Sequence, residues 1–138
     1  MAKSVENSQD QGPRGELSIQ TAAMPADTNA NGDIFGGWLL AQMDIAGGIA
    51  GRNYSRGRAV TIAIESMTFR KPVKVGDVVS CYADLIKVGS TSMTYRIEVW
   101  ALRSATFERE KVTEGVFTYV AIGDDGTPRK LSRDTEEA

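Results

Sequence analysis

The chain has 138 residues, of which 41% are hydrophobic, which is enough for one folded domain with a core but not for two. A net charge of −2 argues against a nucleic-acid binder, and the lone Cys81 excludes an internal disulfide and fits a reducing compartment. Histidine is absent, which excludes Ser-His-Asp and Cys-His nucleophilic sites and the zinc motifs that need imidazole.

The chain opens with a polar stretch, residues 1–14, that has no apolar core of a signal peptide. We expect a disordered tail there and a cytoplasmic location. Residues 17–23 predict a first strand. The folded domain is expected over residues 15–123, and residues 124–138 are expected to form a charged C-terminal tail.

Residues 24–52 predict a loop that leads into one buried helix. The loop is rich in Asn and Asp and ends in the pair Gly36-Gly37. Apolar residues then lie on every side of the helical wheel, which leaves no face for water: Leu39, Leu40, Met43, Ile45, Ala46, Ile49 and Ala50. Gln42 and Asp44 interrupt the longest apolar run, so no membrane span is predicted.

Asp44 is the one charged side chain between Asp33 and Arg52. A buried carboxylate is unfavourable unless it is paired, hydrogen-bonded or protonated. Two interpretations stay open: a structural aspartate bonded to a Ser, Thr or backbone group elsewhere in the fold, or a desolvated acid or base in a site. Without histidine, acid–base chemistry near neutral pH must come from a carboxylate, Cys81, a tyrosine or a lysine. Cys81 itself is predicted to be a small core residue.

Gly36 and Gly37 leave the first backbone N–H groups of the helix uncovered, where the positive end of the helix dipole can bind an oxyanion. Gly37 and Asp44 share a helix face but stand about 10 Å apart along the axis, too far to serve the same carbonyl group. If two helices packed antiparallel across a two-fold axis, Asp44 of one would approach Gly37 of the other. The site would then require a dimer.

After a turn over residues 53–58, the sequence predicts four strands joined by short turns. The first, residues 59–69, changes phase near Glu65 and Ser66, which predicts a bulge. Alternating strands over residues 78–88, 91–101 and 112–122 follow. This order predicts an α+β fold in which an antiparallel β-sheet wraps around one long central helix. One sheet cannot cover such a helix on all sides, which again favours a dimer.

Basic residues flank the strand at residues 59–69 and are candidate contacts to substrate phosphates: Arg58, Arg70, Lys71 and Lys74, with Arg52 and Arg56 as further candidates. For the turn at residues 52–58, the alternative is a solvated helix C-terminus whose cations the dipole favours. Trp38, Met43 and Met67 are candidates to line an apolar acyl tunnel, although packing in the core is the more common use of such residues.

The pattern Asn29-x-x-Gly32-x-x-x-Gly36-Gly37-x-x-x-x-x-x-Asp44 resembles the signature of hotdog-fold acyl-CoA thioesterases, closest to the YciA-type branch. The resemblance continues through VTIAIESMTFRKPVKVGDVVSCYA and TSMTYRIEVWA. It implies a hotdog fold, a general base or nucleophile at Asp44, and an attacking water near Asn29. It also implies a carbonyl-polarising N–H at Gly37, a site shared between subunits, and a hexamer built as a trimer of dimers.

Together these features predict an acyl-CoA thioester hydrolase that releases a free fatty or short-chain carboxylic acid and CoA. Its predicted catalytic residues are Asp44, Asn29 and Gly37, and Gly36 with the basic residues above would bind substrate. CoA enters as part of the substrate, so no separate cofactor and no metal are expected. The expected partners are acyl-CoA and further copies of the chain, not nucleic acid or a membrane.

Three alternatives to the hydrolase remain. A non-catalytic acyl-CoA or CoA-binding hotdog module would keep the pocket but would not need an ionised Asp44. A purely structural dimerisation domain would not explain the polar loop at residues 29–37. A hydratase is disfavoured because its usual histidine is absent. For the hydrolase, the sequence leaves open whether Asp44 activates water or attacks directly to form an anhydride.

Overall fold

Five antiparallel strands and one long helix form the part of the chain that this computed structural model describes, residues 12–131. Of the predicted tails, residues 1–11 and 132–138 lie outside the described residues. A single 3-10 turn, Pro25–Asp27, precedes the helix. The elements are β1 (Glu16–Ala22), α1 (Gly36–Ser55), β2 (Ala59–Phe69), β3 (Val78–Val88), β4 (Ser92–Leu102) and β5 (Arg109–Ala121).

The strands are ordered β1-β3-β4-β5-β2 in one sheet. β3, β4 and β5 follow one another as hairpins and fill the centre, because short turns return the chain to a neighbouring antiparallel position. β2 leaves the helix and pairs with β5 at one edge, while β1 pairs with β3 at the other. Helix α1 packs against all five strands. This confirms the predicted α+β hotdog arrangement of a sheet around one helix.

The predicted bulge in β2 is present. The register with β5 shifts between Glu65 and Thr68, and Ser66 has a φ of 58°. The extra residue reverses the alternation of the strand, as its sequence indicated. Met67 therefore turns inward and packs against the core, whereas Ile64 before the bulge is exposed.

The core lies between α1 and the inner face of the sheet. The helix contributes Leu39, Met43 and Ala46, and the strands contribute alternating residues such as those of β4: Met93, Tyr95, Ile97 and Val99. Cys81 is fully buried, as predicted, and burial raises the pKa of its thiol to about 12. On the opposite side of the helix, Ile45 and Ile49 are exposed. The sheet thus covers only one side of α1, as expected.

Some boundaries differ from the prediction. The helix continues to Ser55, so the predicted turn at residues 53–58 starts as its last turn, and Arg56 ends it with a left-handed φ of 61°. After Ile122 the chain doubles back: the N–H of Leu131 donates to the Ser90 carbonyl at 2.9 Å. Residues up to Leu131 are therefore hydrogen-bonded to the body of the domain. Within residues 12–131, no helix is long and apolar enough to cross a membrane.

Candidate active site

Asn29 organises the polar loop that precedes the helix. Its side-chain oxygen accepts hydrogen bonds from the N–H groups of Asn31 at 2.9 Å and Asp33 at 3.1 Å. Its own N–H donates to the Asp33 carbonyl at 2.7 Å, and Gly32 closes the turn with a φ of 85°. Because the carboxamide oxygen is already used, the amide NH₂ of Asn29 is the group left to contact a ligand.

The first turn of α1 faces open space. Phe35 precedes the helix in an extended conformation, and no side chain caps it. Among the described residues, no backbone carbonyl accepts a hydrogen bond from the N–H of Gly36 or Gly37. A Cβ atom at Gly37 would meet nothing within 4 Å, and one at Gly36 would meet only the Phe69 ring at 3.8 Å. The predicted oxyanion position is therefore open and carries unpaired donors.

The Asp44 carboxylate is half-buried and held through one of its two oxygens. Oδ1 accepts hydrogen bonds from the Thr61 hydroxyl at 2.6 Å and from the Tyr119 hydroxyl at 3.1 Å. Oδ2 receives no hydrogen bond from residues 12–131. The contact with Thr61 is the kind of bond that the structural interpretation of Asp44 anticipated. The free oxygen leaves this carboxylate able to accept a proton or attack a carbonyl carbon.

Tyr119 approaches Asp44 from β5, beneath the helix. Its ring is buried, stacked near Phe117 and edge-on to Tyr95. Burial raises the pKa of the Tyr119 hydroxyl, and the neighbouring Asp44 charge raises it further, so the phenol keeps its proton and donates it. Gly47 makes this approach possible, since a Cβ there would lie 2.1 Å from the Tyr119 hydroxyl oxygen.

A buried ion pair supports the segment beside the helix start. The Asp77 carboxylate is 2% exposed and accepts hydrogen bonds from the Lys74 N–H at 2.9 Å and from Arg103 Nη1 at 2.7 Å. Burial alone would raise the pKa of the Asp77 carboxyl, but these hydrogen bonds and the Arg103 charge hold it below its ordinary value. Within this segment, the Val73 carbonyl accepts a hydrogen bond from the Ile34 N–H at 3.0 Å. The ion pair therefore fixes the chain that leads into α1.

The predicted phosphate contacts do not form one cluster within the chain. Lys71 pairs with Glu110 at 3.5 Å, and Lys74 pairs with Asp33. Arg58 and Arg70 are exposed and have no carboxylate partner in the described part of the chain. They stand at opposite ends of β2, whose eleven residues span about 35 Å. Arg70 follows Phe69 and so lies at the helix N-terminus, whereas Arg58 lies at the other end.

The tunnel candidates belong mainly to the core. Met43 is fully buried, and Trp38 and Met67 pack against the core with part of their surface accessible. A cleft of about 720 Å³ opens elsewhere, between the C-terminal half of α1 and strands β1 and β3, and is lined by residues that include Leu17, Ile49, Tyr54 and Leu85. It does not include Asp44 or Gly37. The predicted site is thus separate from this cleft.

Sequence reasoning did not find Thr61, Tyr119 or Gly47. Thr61 and Tyr119 each occupy an ordinary position of an alternating strand, and they meet Asp44 only after the sheet has formed. The Gly47-Gly48 pair did carry a signal, because glycine inside an apolar helix usually reflects a close packing contact.

The family described as Thioesterase superfamily matches residues 31–107. The acyl-CoA thioester hydrolase YciA of Salmonella typhimurium is 55% identical over 125 residues, which cover 88% of this chain and 94% of that protein. Similarity of this extent spans nearly the whole described domain.

Two solved structures share the fold. The hexameric thioesterase of Yersinia pestis is 57% identical, with a TM-score of 0.84 over 88% of this chain and 98% of that one. An Asp-to-Ala variant of a hexameric broad specificity acyl-coenzyme A thioesterase is 48% identical, with a TM-score of 0.86 over 88% of this chain and 89% of that one.

Proposed function

The chain belongs to the thioesterase superfamily, and we propose that it is an acyl-CoA thioester hydrolase that uses Asp44 and the N-terminus of helix α1. The enzyme converts an acyl-CoA and water into a carboxylic acid and free CoA. The relatives that carry this activity in their names match almost the full domain. The observation that carries the mechanism is the Asp44 carboxylate, anchored through Oδ1 and free at Oδ2, on the helix that also presents the Gly37 N–H.

The active unit of this proposal is a homodimer joined along β2. This edge strand exposes apolar side chains, with Val60 and Ile64 each 42% exposed and Ile62 58% exposed. An uncovered apolar edge strand favours pairing with another strand. Antiparallel pairing of two β2 strands across a two-fold axis would bury these residues and bring Asp44 towards Gly37 of the partner subunit. The related hexamers favour three such dimers in one homohexamer.

In the reaction, the thioester carbonyl oxygen accepts a hydrogen bond from the Gly37 N–H, and the helix dipole stabilises the negative charge of the tetrahedral intermediate. Asp44 Oδ2 takes a proton from the attacking water, whose oxygen bonds to the carbonyl carbon. The C–S bond then breaks, and the protonated Asp44 returns the proton to the CoA thiolate. A thiolate is a good leaving group, so no histidine is needed. The amide NH₂ of Asn29 orients the water.

A second route uses the same atoms. Asp44 Oδ2 attacks the carbonyl carbon directly and expels the CoA thiolate, and water then hydrolyses the resulting anhydride. Both routes need the carboxylate ionised and one of its oxygens unobstructed. In either route the reactants are water and the thioester, so we propose no resident cofactor or metal.

For the CoA end, we propose phosphate contacts from Arg58 and Arg70, with support from Lys71 and Lys74. Of these four, Arg58 and Arg70 are exposed and have no carboxylate partner among the described residues. Antiparallel pairing of two β2 strands would place Arg58 of one subunit near Arg70 of the partner subunit. The dimer would thereby assemble a phosphate site that one chain cannot form. We further propose that the enzyme acts in the cytoplasm, where the single free thiol, Cys81, fits a reducing environment.

The decisive test is thiol release from short, medium and long acyl-CoAs by the unmodified enzyme, Asp44→Ala and Asp44→Asn. We expect kcat to fall by about 10³ or more in both variants, since the carboxylate takes part in bond making. Asp124→Ala, which removes an exposed carboxylate from a surface turn, is the matched control and should keep full activity. Most of the activity surviving in Asp44→Ala would refute the mechanism. CoA ester binding without thiol release by the unmodified protein would instead support a non-catalytic binding module.

A further inference from the structure

We infer that Tyr119 is a positioning residue of the active site, and that Gly47 is the helix residue that admits it. Together with Thr61, Tyr119 holds Asp44 Oδ1 so that Oδ2 faces the reacting carbonyl group. This inference rests on the proposed hydrolase function and extends it to two residues that do not contact the substrate.

The Tyr119 hydroxyl has two acceptor oxygens within hydrogen-bond distance. The hydroxyl oxygen lies 3.0 Å from the main-chain carbonyl oxygen of Asp44 and 3.1 Å from its Oδ1. A phenol has one proton, and a carboxylate is the stronger acceptor because it carries a full negative charge. The main-chain carbonyl oxygen of Asp44 also lies within the helix, where it already accepts the hydrogen bond that the N–H four residues later donates. The hydroxyl therefore donates to Oδ1.

Asp44 Oδ1 therefore accepts two hydrogen bonds, one from Tyr119 and one from Thr61. Thr61 donates to the same Oδ1 at 2.6 Å, from β2. Two hydrogen bonds from two different strands fix both the position and the rotation of the carboxylate plane. They also withdraw electron density from Oδ1 and leave Oδ2 as the more accessible oxygen. In the dimer described above, Oδ2 is the atom that reaches the thioester.

The Tyr119 hydroxyl and ring occupy the space that a Cβ at Gly47 would need. A Cβ at Gly47 would lie 2.1 Å from the hydroxyl oxygen and 2.6 Å from two ring carbons of Tyr119. The ring has no room to retreat, because it is buried against Phe117 and Tyr95. A Cβ at the neighbouring Gly48 would only touch the ring, at 4.0 Å. The packing of Tyr119 thus excludes a Cβ at Gly47 but leaves room for one at Gly48.

The main experiment compares thiol release by Tyr119→Phe with that of the unmodified enzyme. Phe keeps the ring and its packing but removes the donor, so kcat should fall about tenfold while KM changes less than twofold. Tyr95→Phe is the matched control, because it removes the hydroxyl from another tyrosine of the same core, and it should leave kcat unchanged. Unchanged kcat in Tyr119→Phe, or a change confined to KM, would overturn the inference.

The glycine pair gives a second test. Gly47→Ala should lower kcat at least as far as Tyr119→Phe, whereas Gly48→Ala, the same change one residue along, should stay within twofold of the unmodified enzyme. Circular dichroism would show that each variant is folded before its rate is compared. If Gly47→Ala does not fold, Tyr119→Phe decides. Equal rates in the two folded alanine variants would overturn the role of Gly47.

A third measurement does not depend on turnover. The loss of Tm should be smaller in the double variant Tyr119→Phe/Asp44→Ala than the sum of the two single losses, because both substitutions remove the same hydrogen bond. Additive losses would refute the contact and therefore the inference alone. If the unmodified protein releases no thiol, the proposed function is refuted. The Tm values would then still test the Tyr119–Asp44 hydrogen bond, but that bond would have no role in catalysis.

Discussion

Glu98 shows how strongly a single carboxylate can be enclosed on the outer face of the sheet. Its side chain is 1% exposed, and it accepts hydrogen bonds from Trp100 Nε1 at 2.9 Å and Arg14 Nε at 3.0 Å. Lys111 Nζ lies 3.6 Å away. Burial works to raise the pKa of Glu98, but these donors and the Lys111 charge outweigh it and leave the pKa below its ordinary value of 4.5. Glu98 also fastens the segment before β1 through Arg14.

This carboxylate should make the fold acid-sensitive. Because the folded-state pKa is depressed, Glu98 stabilises the protein above its unfolded pKa, and this contribution is lost as pH falls through the folded value. We expect Glu98→Gln to lower the free energy of unfolding by about 1–3 kcal/mol at pH 7 and to flatten the fall of Tm below pH 4.5. Tm measured from pH 7 to pH 3 tests this. Glu108→Gln changes an exposed carboxylate and should show the same dependence of Tm on pH as the unmodified protein. If Tm of Glu98→Gln falls as steeply with pH as that of the unmodified protein, Glu98 is not the source of the acid sensitivity.

Gly15 is the tightest backbone contact at the β1 edge. It has a φ of 90°, and a Cβ there would lie 2.3 Å from the Ala83 carbonyl oxygen, which belongs to β3 and cannot rotate away. We expect Gly15→Ala to lower the free energy of unfolding by about 2–4 kcal/mol, combining left-handed strain with a backbone clash. Urea unfolding measures this loss. Gly126→Ala, with a φ of 85° but open space, should lose only about 1 kcal/mol; equal losses would remove the clash from the explanation.

At the scale of elements, α1 carries both halves of the proposed chemistry, and its first turn can be tested without touching Asp44. Gly37→Ala keeps the backbone N–H, and its Cβ meets nothing within 4 Å. Gly37→Pro removes that N–H at a helix position where proline is tolerated. We expect kcat to stay within about fivefold in the alanine variant and to fall about 10²-fold or more in the proline variant.

The rate of thiol release is measured for both variants by stopped-flow or steady-state kinetics. Tm is recorded for each variant to show that the start of the helix is intact. A proline variant that is folded and active would place the oxyanion donor elsewhere. An alanine variant as inactive as the proline variant would mean that open space at Gly37, not its N–H, is what the substrate requires.

Local patterns predicted most of the elements, since β2 and β3 begin and end where alternation and turn residues indicated. The helix end was missed because Asn53 and Ser55 are typical of turns, yet Ser55 is buried and continues the helix. For the site, Asp44 and Gly37 stand out locally as a lone charge and a glycine pair. Thr61 and Tyr119 do not, because they lie 17 and 75 residues from Asp44. Only the strand order, with β2 beside β5, brings them together.

At the scale of the whole molecule, the exposed apolar edge of β2 links assembly to activity. We expect Ile62→Lys to prevent dimer formation, because it places a charge in the centre of the proposed strand pairing. Sedimentation velocity should show monomers, and thiol release should fall in parallel, since the proposed site takes Asp44 and the oxyanion donor from different subunits. Thr106→Lys adds the same charge to an exposed hairpin and should change neither. Active monomers would refute the shared site.

The contact between Arg129 and the end of α1 sets an order in time. Arg129 Nη1 donates to the Ser55 carbonyl at 3.3 Å, across 74 residues of chain. A ribosome adding about 5–20 residues per second needs on the order of 4–15 s to make that interval. Until then the helix lacks this contact, and β2 has no strand to pair with, because its neighbour in the described sheet is β5. The apolar side chains of β2, through which we propose that two subunits join, are therefore exposed before β5 has been made, so two chains translated side by side can pair along β2 before either has folded.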